Sequence, residues 1–281
     1  VRAYVKDVLR ETRGPQVQLS RTHPGFIEKL FQLEVPEIYD NLVEIMAVAR
    51  EPGNRAKVAV TSHDDRVDPV GACIGPKGQR VQAVVRELNN ERIDIIEWSP
   101  DPAAFLEQAL APAEIQRVET DEKHHTIVGI VNEEQLSPAI GRGGQNARLA
   151  ATLTGWRVEI LTDELFSEKR ETQDFMRVDV TELPGVTDEG AAALRLADID
   201  TAEDIIELSA MDIAERTGLQ LDLAAQLLDE AQDANEERLA AYAEKSGVSA
   251  ENVGFDLATF AADPVVPEEP EEQEQNQELR A

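Results

Sequence analysis

The chain has 281 residues, of which 42% are hydrophobic and only 4% aromatic, and its 27 Lys and Arg against 56 Asp and Glu give a net charge of −29. The low aromatic content argues against a platform that stacks nucleobases on rings, and a single cysteine, Cys73, excludes an internal disulfide or a thiolate metal cluster. Residues 1–166 hold 19 basic and 26 acidic side chains, a net −7, whereas residues 167–281 hold 8 and 30, a net −22. The first half can therefore still present a basic face.

The first 20 residues alternate apolar and polar side chains on either side of a polar turn at Glu11–Pro15. This pattern predicts a β-hairpin. Because two strands alone are only marginally stable, we expect residues 1–20 to be the last strands of a larger β domain. The chain begins at Val1 rather than at a methionine, and we expect it to be a piece of a longer protein.

The central region contains a repeat marked by two Gly-x-x-Gly tetrapeptides, which begin at Gly75 and Gly141. Each tetrapeptide lies between two helix-compatible segments and carries one cation, Lys77 in the first and Arg142 in the second. A helix and two apolar strands precede each pair of segments, and one strand follows it. One such tetrapeptide is weak evidence, but two in matching contexts indicate a duplicated αββααβ module.

This order of elements, with Gly-x-x-Gly between the paired helices, resembles the prokaryotic (type II) KH domain. KH domains hold about four nucleotides of a single strand at that loop. Glycine permits the positive φ of a tight turn, and the helix that follows presents free N–H groups to a phosphate. On the return strand of the first module we expect Arg55 and Lys57 to face RNA. The predicted RNA-binding residues are Gly75, Pro76, Lys77, Gly78, Arg80, Gly141, Arg142, Gly143, Gly144, Gln145 and Arg148.

We place the first KH domain at residues 21–100, the second at 101–166 and a polar linker at 167–179. The connection from Trp98 to Pro102 is short and contains two prolines, so we expect the two domains to pack as one rigid unit. Trp98 and Trp156 lie beside predicted strands, where packing is the expected role.

Residues 180–235 predict a small all-α domain. The segment from Leu183 to Leu194 resembles a helix-hairpin-helix motif, and a related turn follows at Thr217. Residues 180–232 hold 2 basic and 13 acidic side chains, a net −11, which would repel a phosphate backbone, and Thr187 replaces the second glycine of the DNA-binding hairpin. We therefore expect this domain to dock other proteins, and we expect residues 236–281 to be a mostly disordered acidic tail.

Two stretches are specific enough to indicate a family. Residues 68–84 with 91–96, and residues 139–150 with 154–156, strongly resemble the two KH modules of the NusA family of bacterial transcription factors. The resemblance covers residues 1–166 closely, and the paired hairpins are similar to acidic repeats of some members. It implies that residues 1–20 end an OB-fold domain and that the protein binds nascent single-stranded RNA and modulates pausing, termination and antitermination. The implied partners are RNA, RNA polymerase and, through the acidic domain, other transcription factors.

The expected fold class is α+β: tandem type II KH domains, a small all-α paired helix-hairpin-helix domain and a disordered acidic tail. We expect a cytoplasmic monomer without membrane association, cofactor or enzymatic activity. Two alternatives stay open: a KH-bearing accessory fragment of an RNA-processing enzyme such as a nuclease or GTPase, and an adaptor with degenerate loops. The enzyme alternative lacks a phosphate-binding Gly-x-x-x-x-Gly-Lys loop and histidines at metal-ligand spacing.

Overall fold

The computed structural model describes residues 1–8, 16–246 and 260–262. These residues divide into two compact units, one formed by residues 1–162 with 260–262 and the other by residues 163–246. The predicted N-terminal hairpin is present as strands β1 (Tyr4–Val8) and β2 (Val17–Ser20), which pair antiparallel. The predicted turn at Glu11–Pro15 lies outside the described residues.

The first αββααβ module spans a helix and hairpin, a helix pair and a closing strand. Strand β4 is central: it pairs antiparallel with β3 and parallel with β5. A short additional helix, α2, begins at Pro36, directly after α1. The elements are α1 (Pro24–Glu34), α2 (Pro36–Tyr39), β3 (Val43–Glu51), β4 (Arg55–Ser62), α3 (Pro69–Ile74), α4 (Gln79–Glu87) and β5 (Arg92–Glu97).

The second module repeats this topology, with a central strand that pairs antiparallel on one side and parallel on the other. It differs in its sheet, which gains a fourth strand from the C-terminal segment of the chain. The elements are α5 (Pro102–Leu110), β6 (Ile115–Asp121), β7 (Thr126–Val131), α6 (Glu133–Ile140), α7 (Gln145–Thr154), β8 (Arg157–Thr162) and β9 (Phe260–Ala262).

Local sequence signals set the helix starts. Asp68 and Asp101 each accept a hydrogen bond from a first-turn amide, and each is followed by a proline. An acidic or hydroxyl side chain before the first turn satisfies an amide that has no helical partner, and proline at the first position loses nothing. The predicted mixed α+β fold with tandem KH modules is confirmed.

A single hydrophobic core joins the two KH modules. Ala49, Ala59 and Ile96 of the first module are buried in the same cluster as Phe105 and Leu106 of α5. Both tryptophans pack against this cluster, in agreement with their predicted packing role. The shared core fixes the two modules relative to each other, as the short connection predicts.

The expectation that Lys57 faces RNA is wrong. Its side chain is fully buried at the junction of the two modules, where Nζ donates to the carbonyl of Ala111 at 3.2 Å and lies 3.7 Å from Asp94. Arg55 pairs with the same carboxylate at 2.6 Å. The sequence of β4 by itself does not predict the burial of Lys57, because the surface that covers this side chain belongs to the second module.

The second unit is helical. Its start, α8, takes up most of the predicted linker at residues 167–179, and its last helix continues beyond residue 235 into the predicted tail. Thr201 and Ser209 form capping boxes with Asp204 and Asp212. A 3-10 turn at Val180–Glu182 accompanies α8 (Asp163–Met176), α9 (Asp188–Leu196), α10 (Ala202–Ile206), α11 (Ala210–Thr217) and α12 (Leu221–Ser246).

The buried ammonium predicts a pH-dependent stability. Burial lowers the pKa of Lys57 from 10.5 to about 8, although Asp94 opposes part of the shift. Between these two pH values the unfolded chain keeps a proton that the folded chain has lost, so this group makes the free energy of unfolding rise with pH. Below pH 8 Lys57 is protonated in both the folded and the unfolded chain, so the destabilisation from its buried charge is fully present.

We therefore compare the free energy of unfolding of Lys57→Met with that of the wild type. The value for the variant minus the value for the wild type should fall, by roughly 3 kcal/mol at most, as pH rises from 8 to 10.5. Denaturant unfolding followed by tryptophan fluorescence measures it, since Trp98 and Trp156 are the two tryptophans and both lie in this unit. The exposed Lys29→Met is the control and should show no such slope. A constant difference across this range would contradict the lowered pKa of Lys57.

Candidate nucleic-acid interface

The first Gly-x-x-Gly loop is a left-handed turn between α3 and α4. Gly75 and Gly78 have φ of 72° and 75°, and Lys77 between them has φ of 54°. A Cβ added at Gly75 would lie 2.5 Å from Cγ of Arg80. Gly75 is therefore required both by its backbone conformation and by the close approach of α4.

The second loop has nearly the same backbone. Gly141 and Gly144 have φ of 74° and 76°, and the residue in the place of Lys77 is Gly143, with φ of 61°. A Cβ at Gly141 would meet Cβ of Asn146 at 2.8 Å. The third loop position is thus left-handed in both modules. The cation occupies that position in the first loop and the preceding one, Arg142, in the second.

Both loops lead into helices whose first amides have no side-chain cap. Gly78 and Gly144 occupy the cap positions of α4 and α7, and no side chain in the described part of the chain caps the first turn of either helix. The amide dipoles of a helix add to a partial positive charge at this end. The amides of Gln79 and Gln145 donate to the carbonyls of Pro76 and Arg142 in their own loops, so what each loop offers an anion is chiefly the favourable potential of the helix end.

Two predicted site residues provide free positive charge at the loops. The side chains of Lys77 and Arg142 are exposed. Within the described ranges, neither side chain takes part in an ion pair or hydrogen bond. Because a cation held by no internal partner can meet a phosphate without first breaking a contact, these two side chains fit the predicted role. Exposed Pro76 lies beside Lys77.

Arg80 is placed differently from the other cations. Its guanidinium lies 2.8 Å from the carboxylate of Glu37 and also donates to the carbonyl of Ala72 at 2.6 Å, and its side chain is 25% exposed. These contacts tie α4 to α2 and to the end of α3. The predicted RNA contact of Arg80 stays a prediction, and the visible contacts position the first loop.

The first module reaches the second loop through Glu51. Its carboxylate accepts hydrogen bonds from Gln145 at 2.6 Å and from Arg148 at 3.0 Å, so two predicted RNA-binding side chains contact an internal anion. Arg148 also donates to the carbonyl of Gly143. Burial by itself raises the pKa of Glu51, but the hydrogen bonds from Gln145 and Arg148 outweigh it and leave the pKa below its usual value. Glu51 is therefore ionised at neutral pH.

A cleft of about 510 Å³ opens where these side chains meet. It lies beside the turn between β3 and β4 and the exposed side of α7. The sequence does not predict the role of its acidic member, since Glu51, at the end of β3, lies 97 residues away from Arg148 in the chain. The lining residues are Pro24, Val48, Arg50, Glu51, Pro52, Asn54, Arg148, Leu149 and Thr152.

Asn146 is a second residue that sequence reasoning missed. It is buried, and its amide nitrogen donates to the carbonyls of Leu110 at 2.9 Å and Ala139 at 3.1 Å. These bonds fasten the first turn of α7 to the ends of α5 and α6, the helices that flank it. A polar side chain directly after a glycine loop, on a helix that is otherwise apolar on that side, was the available signal.

The described residues offer little to a catalytic or metal-dependent mechanism. No group of three or more His, Cys, Asp or Glu side chains in the described ranges could hold a metal ion. Cys73 is buried, and burial raises the pKa of its thiol to about 12, so the thiol is protonated at neutral pH. Among the helices described, none is long and apolar enough to cross a bilayer.

Two αββααβ modules, each with a glycine loop that opens an uncapped helix, define a tandem type II KH protein. Family models described as "NusA-like first KH domain" and "NusA-like second KH domain" match residues 21–98 and 102–168. These ranges together span just over half of the chain. The chain belongs to the NusA family.

Relatives named "Transcription termination/antitermination protein NusA" support this assignment. Those of Halalkalibacterium halodurans and Bacillus subtilis are each 52% identical over 163 residues, which is 58% of this chain and 43% and 44% of theirs. That of Rickettsia prowazekii is 40% identical over 264 residues, 89% of this chain and 51% of its own. The chain thus spans about half the length, or less, of these relatives.

Proposed function

We propose that this chain binds nascent single-stranded RNA through its two KH loops and, as part of a transcription elongation factor, modulates pausing, termination and antitermination by RNA polymerase. The observation that carries the RNA-binding part is the pair of uncapped helix ends, each next to an unpaired cation. The names of the relatives support the role in transcription. Those names describe transcription factors, and no arrangement among the described residues favours an enzyme.

The proposed contacts at each loop follow from charge and backbone geometry. A phosphate lies at the N-terminal end of α4 or α7, where the helix dipole favours an anion, while Lys77 or Arg142 neutralises its charge and releases counterions. The glycines allow the RNA backbone to approach closely. Ile74, 39% exposed immediately before the first loop, offers an aliphatic surface to a base.

The shared core supports binding of one extended strand by both loops. Because the two modules are fixed by buried contacts, the second loop is already placed once the first has bound, and linked sites raise affinity through effective concentration. The proposed RNA-binding residues remain those predicted from the sequence. Lys77 and Arg142 are the ones best placed for direct phosphate contact.

The double variant Lys77→Gly, Arg142→Gln tests the loops. It removes both cations, and glycine at position 77 suits the left-handed backbone, so we expect thermal stability to be unchanged or slightly higher. We expect affinity for single-stranded RNA, measured by fluorescence anisotropy, to fall at least about tenfold, with the salt slope reduced by roughly 2.

The matched control is Lys6→Gln, Lys29→Gln, which makes the same change in net charge at exposed positions away from the loops. It should leave RNA affinity within about twofold of the wild type, since distant surface charges are screened at physiological salt. If the loop variant binds as tightly as this control, RNA is not held at the Gly-x-x-Gly loops.

Glu51 is proposed to compete with RNA for Arg148. Its carboxylate occupies two donors, on Gln145 and Arg148, that border the second loop, and RNA must displace it to use them. Glu51→Gln keeps the shape but removes the charge, so we expect RNA affinity to rise about three- to tenfold and the salt slope to increase. Glu44→Gln, on the same strand, is the control for removal of one acid. Unchanged affinity in Glu51→Gln would show that Arg148 does not take part in binding.

We further propose that the helical unit docks a protein partner with a basic surface. In the hairpin at Leu183–Val186, the amide of Gly185 donates to the carboxylate of Glu230 at 2.6 Å, and Thr187 caps α9 by accepting from Gly190. A DNA-binding hairpin would offer such an amide to a phosphate. Here an internal carboxylate already occupies it, and the net charge of −11 repels a second anion.

A comparison of chains ending at residue 246 and at residue 162 tests this proposal. We expect a lysine-rich peptide to bind the longer chain in a salt-sensitive manner and the shorter one at least about tenfold more weakly, because charge complementarity drives the encounter. The longer chain should bind duplex DNA no more tightly than the shorter one. Tighter duplex binding by the longer chain would refute the assignment.

A further inference from the structure

The outer edge of the second KH sheet is covered by the chain's own C-terminal strand. Strand β9 pairs antiparallel with β8, with Phe260 opposite Ile160, Ala261 opposite Glu159 and Ala262 opposite Val158. In the first module the corresponding strand, β5, is the last strand of the sheet formed by the described residues. The two KH modules therefore differ at one edge.

Strand β9 is also packed on the helix that the second loop opens. Ala262 is only 4% exposed and belongs to the hydrophobic cluster that contains Ala147, Ala150 and Ala151 of α7. The contact thus combines backbone pairing with burial of an apolar side chain, which is the mode by which extended peptides add to an exposed sheet edge.

The sequence suits a short added strand. The stretch at residues 257–262, Leu-Ala-Thr-Phe-Ala-Ala, carries no charge, and Asp263-Pro264 follows it directly. Because proline has no amide to donate, the sequence predicts that a strand here ends before position 264. The expectation of a mostly disordered tail at residues 236–281 is wrong for this strand, since three residues with a partner about a hundred positions away leave no periodic signal.

The position of β9 matters for a strand of RNA held at the second loop. Helix α7, which the second loop opens, contacts both β8 and β9, so an RNA strand that continues from Gly141–Gly144 along α7 meets the edge of β8. Strand β9 pairs with the backbone groups of that edge and lies against α7. The same edge cannot pair with a peptide strand and contact bases at once.

We propose that the outer edge of β8 is a strand-addition site for the chain's own segment 260–262, and that this segment competes with RNA for the second KH module. The competition rests on the RNA binding proposed above, whereas the strand addition does not. RNA then binds fully only to the fraction of molecules in which β9 has left, and the apparent affinity is reduced by that fraction. The first module, with β5 open, binds RNA without this barrier.

Two truncations separate the strand from the acidic tail behind it. A chain ending at residue 263 keeps β9 and loses the acidic residues beyond it, whereas a chain ending at residue 258 loses both. We expect amide hydrogen exchange at Val158, Glu159 or Ile160 to be slow in the first and at least about tenfold faster in the second. We expect RNA affinity to be at least about threefold higher for the chain ending at 258 than for that ending at 263.

A substitution in the full chain provides an independent check with the opposite electrostatic sign. Ala262→Asp places a carboxylate in the apolar contact with α7 and should release β9. It adds a negative charge, which alone would weaken RNA binding, yet we expect affinity to rise. Ala262→Ser, a small change at the same position, should shift both exchange and affinity less.

The outcomes distinguish the parts of the proposal. Equal exchange at β8 in the two truncated chains would overturn strand addition. Faster exchange without a gain in affinity, in a chain that binds RNA, would overturn the competition. If no form binds RNA, the proposed function fails and the competition with it, while the exchange data still decide whether β9 occupies the edge.

Discussion

The buried contact between the two KH modules is the constraint on which the rest of the RNA-binding region depends. Small residues of β3 and β4 let α7 approach closely, and among the described residues Lys57 has Asp94 and the carbonyl of Ala111 as its polar partners. A buried ammonium reduces stability compared with an apolar side chain, but it tolerates few alternative arrangements. The position of the second loop, and of Glu51 beside it, follows from this contact.

The two loops show how little side-chain chemistry an anion site requires. Residues with positive φ at three of four positions turn the chain into a helix that has no side-chain cap, and the charge is supplied by one lysine or arginine. The cation changes place between the loops because the left-handed third position accepts glycine without strain and lysine only with some. The two loops therefore share their backbone conformation but carry the cation at different positions.

A net charge of −29 does not prevent local binding of an anion, but some of the acidic side chains occupy hydrogen-bond donors within the molecule. Glu51 contacts Arg148 and Gln145, and Glu230 contacts the amide of Gly185. In each case a carboxylate of the chain occupies donors that a phosphate could use. At the hairpin this agrees with a protein-docking role, and at the second loop it makes RNA binding a competition, to which β9 adds a steric contribution.

The sequence by itself determined what depends on neighbouring residues. The duplicated αββααβ order, the glycines of both loops and the caps at Asp68, Asp101 and Thr201 are local, since each follows from the φ or the amide partners of a few consecutive residues. Tertiary structure alone decided the burial of Lys57, the contact of Glu51 with Arg148 and the pairing of β9 with β8. Each joins segments that are distant in sequence, and a single sequence carries no periodic or compositional trace of which distant surface will cover a residue.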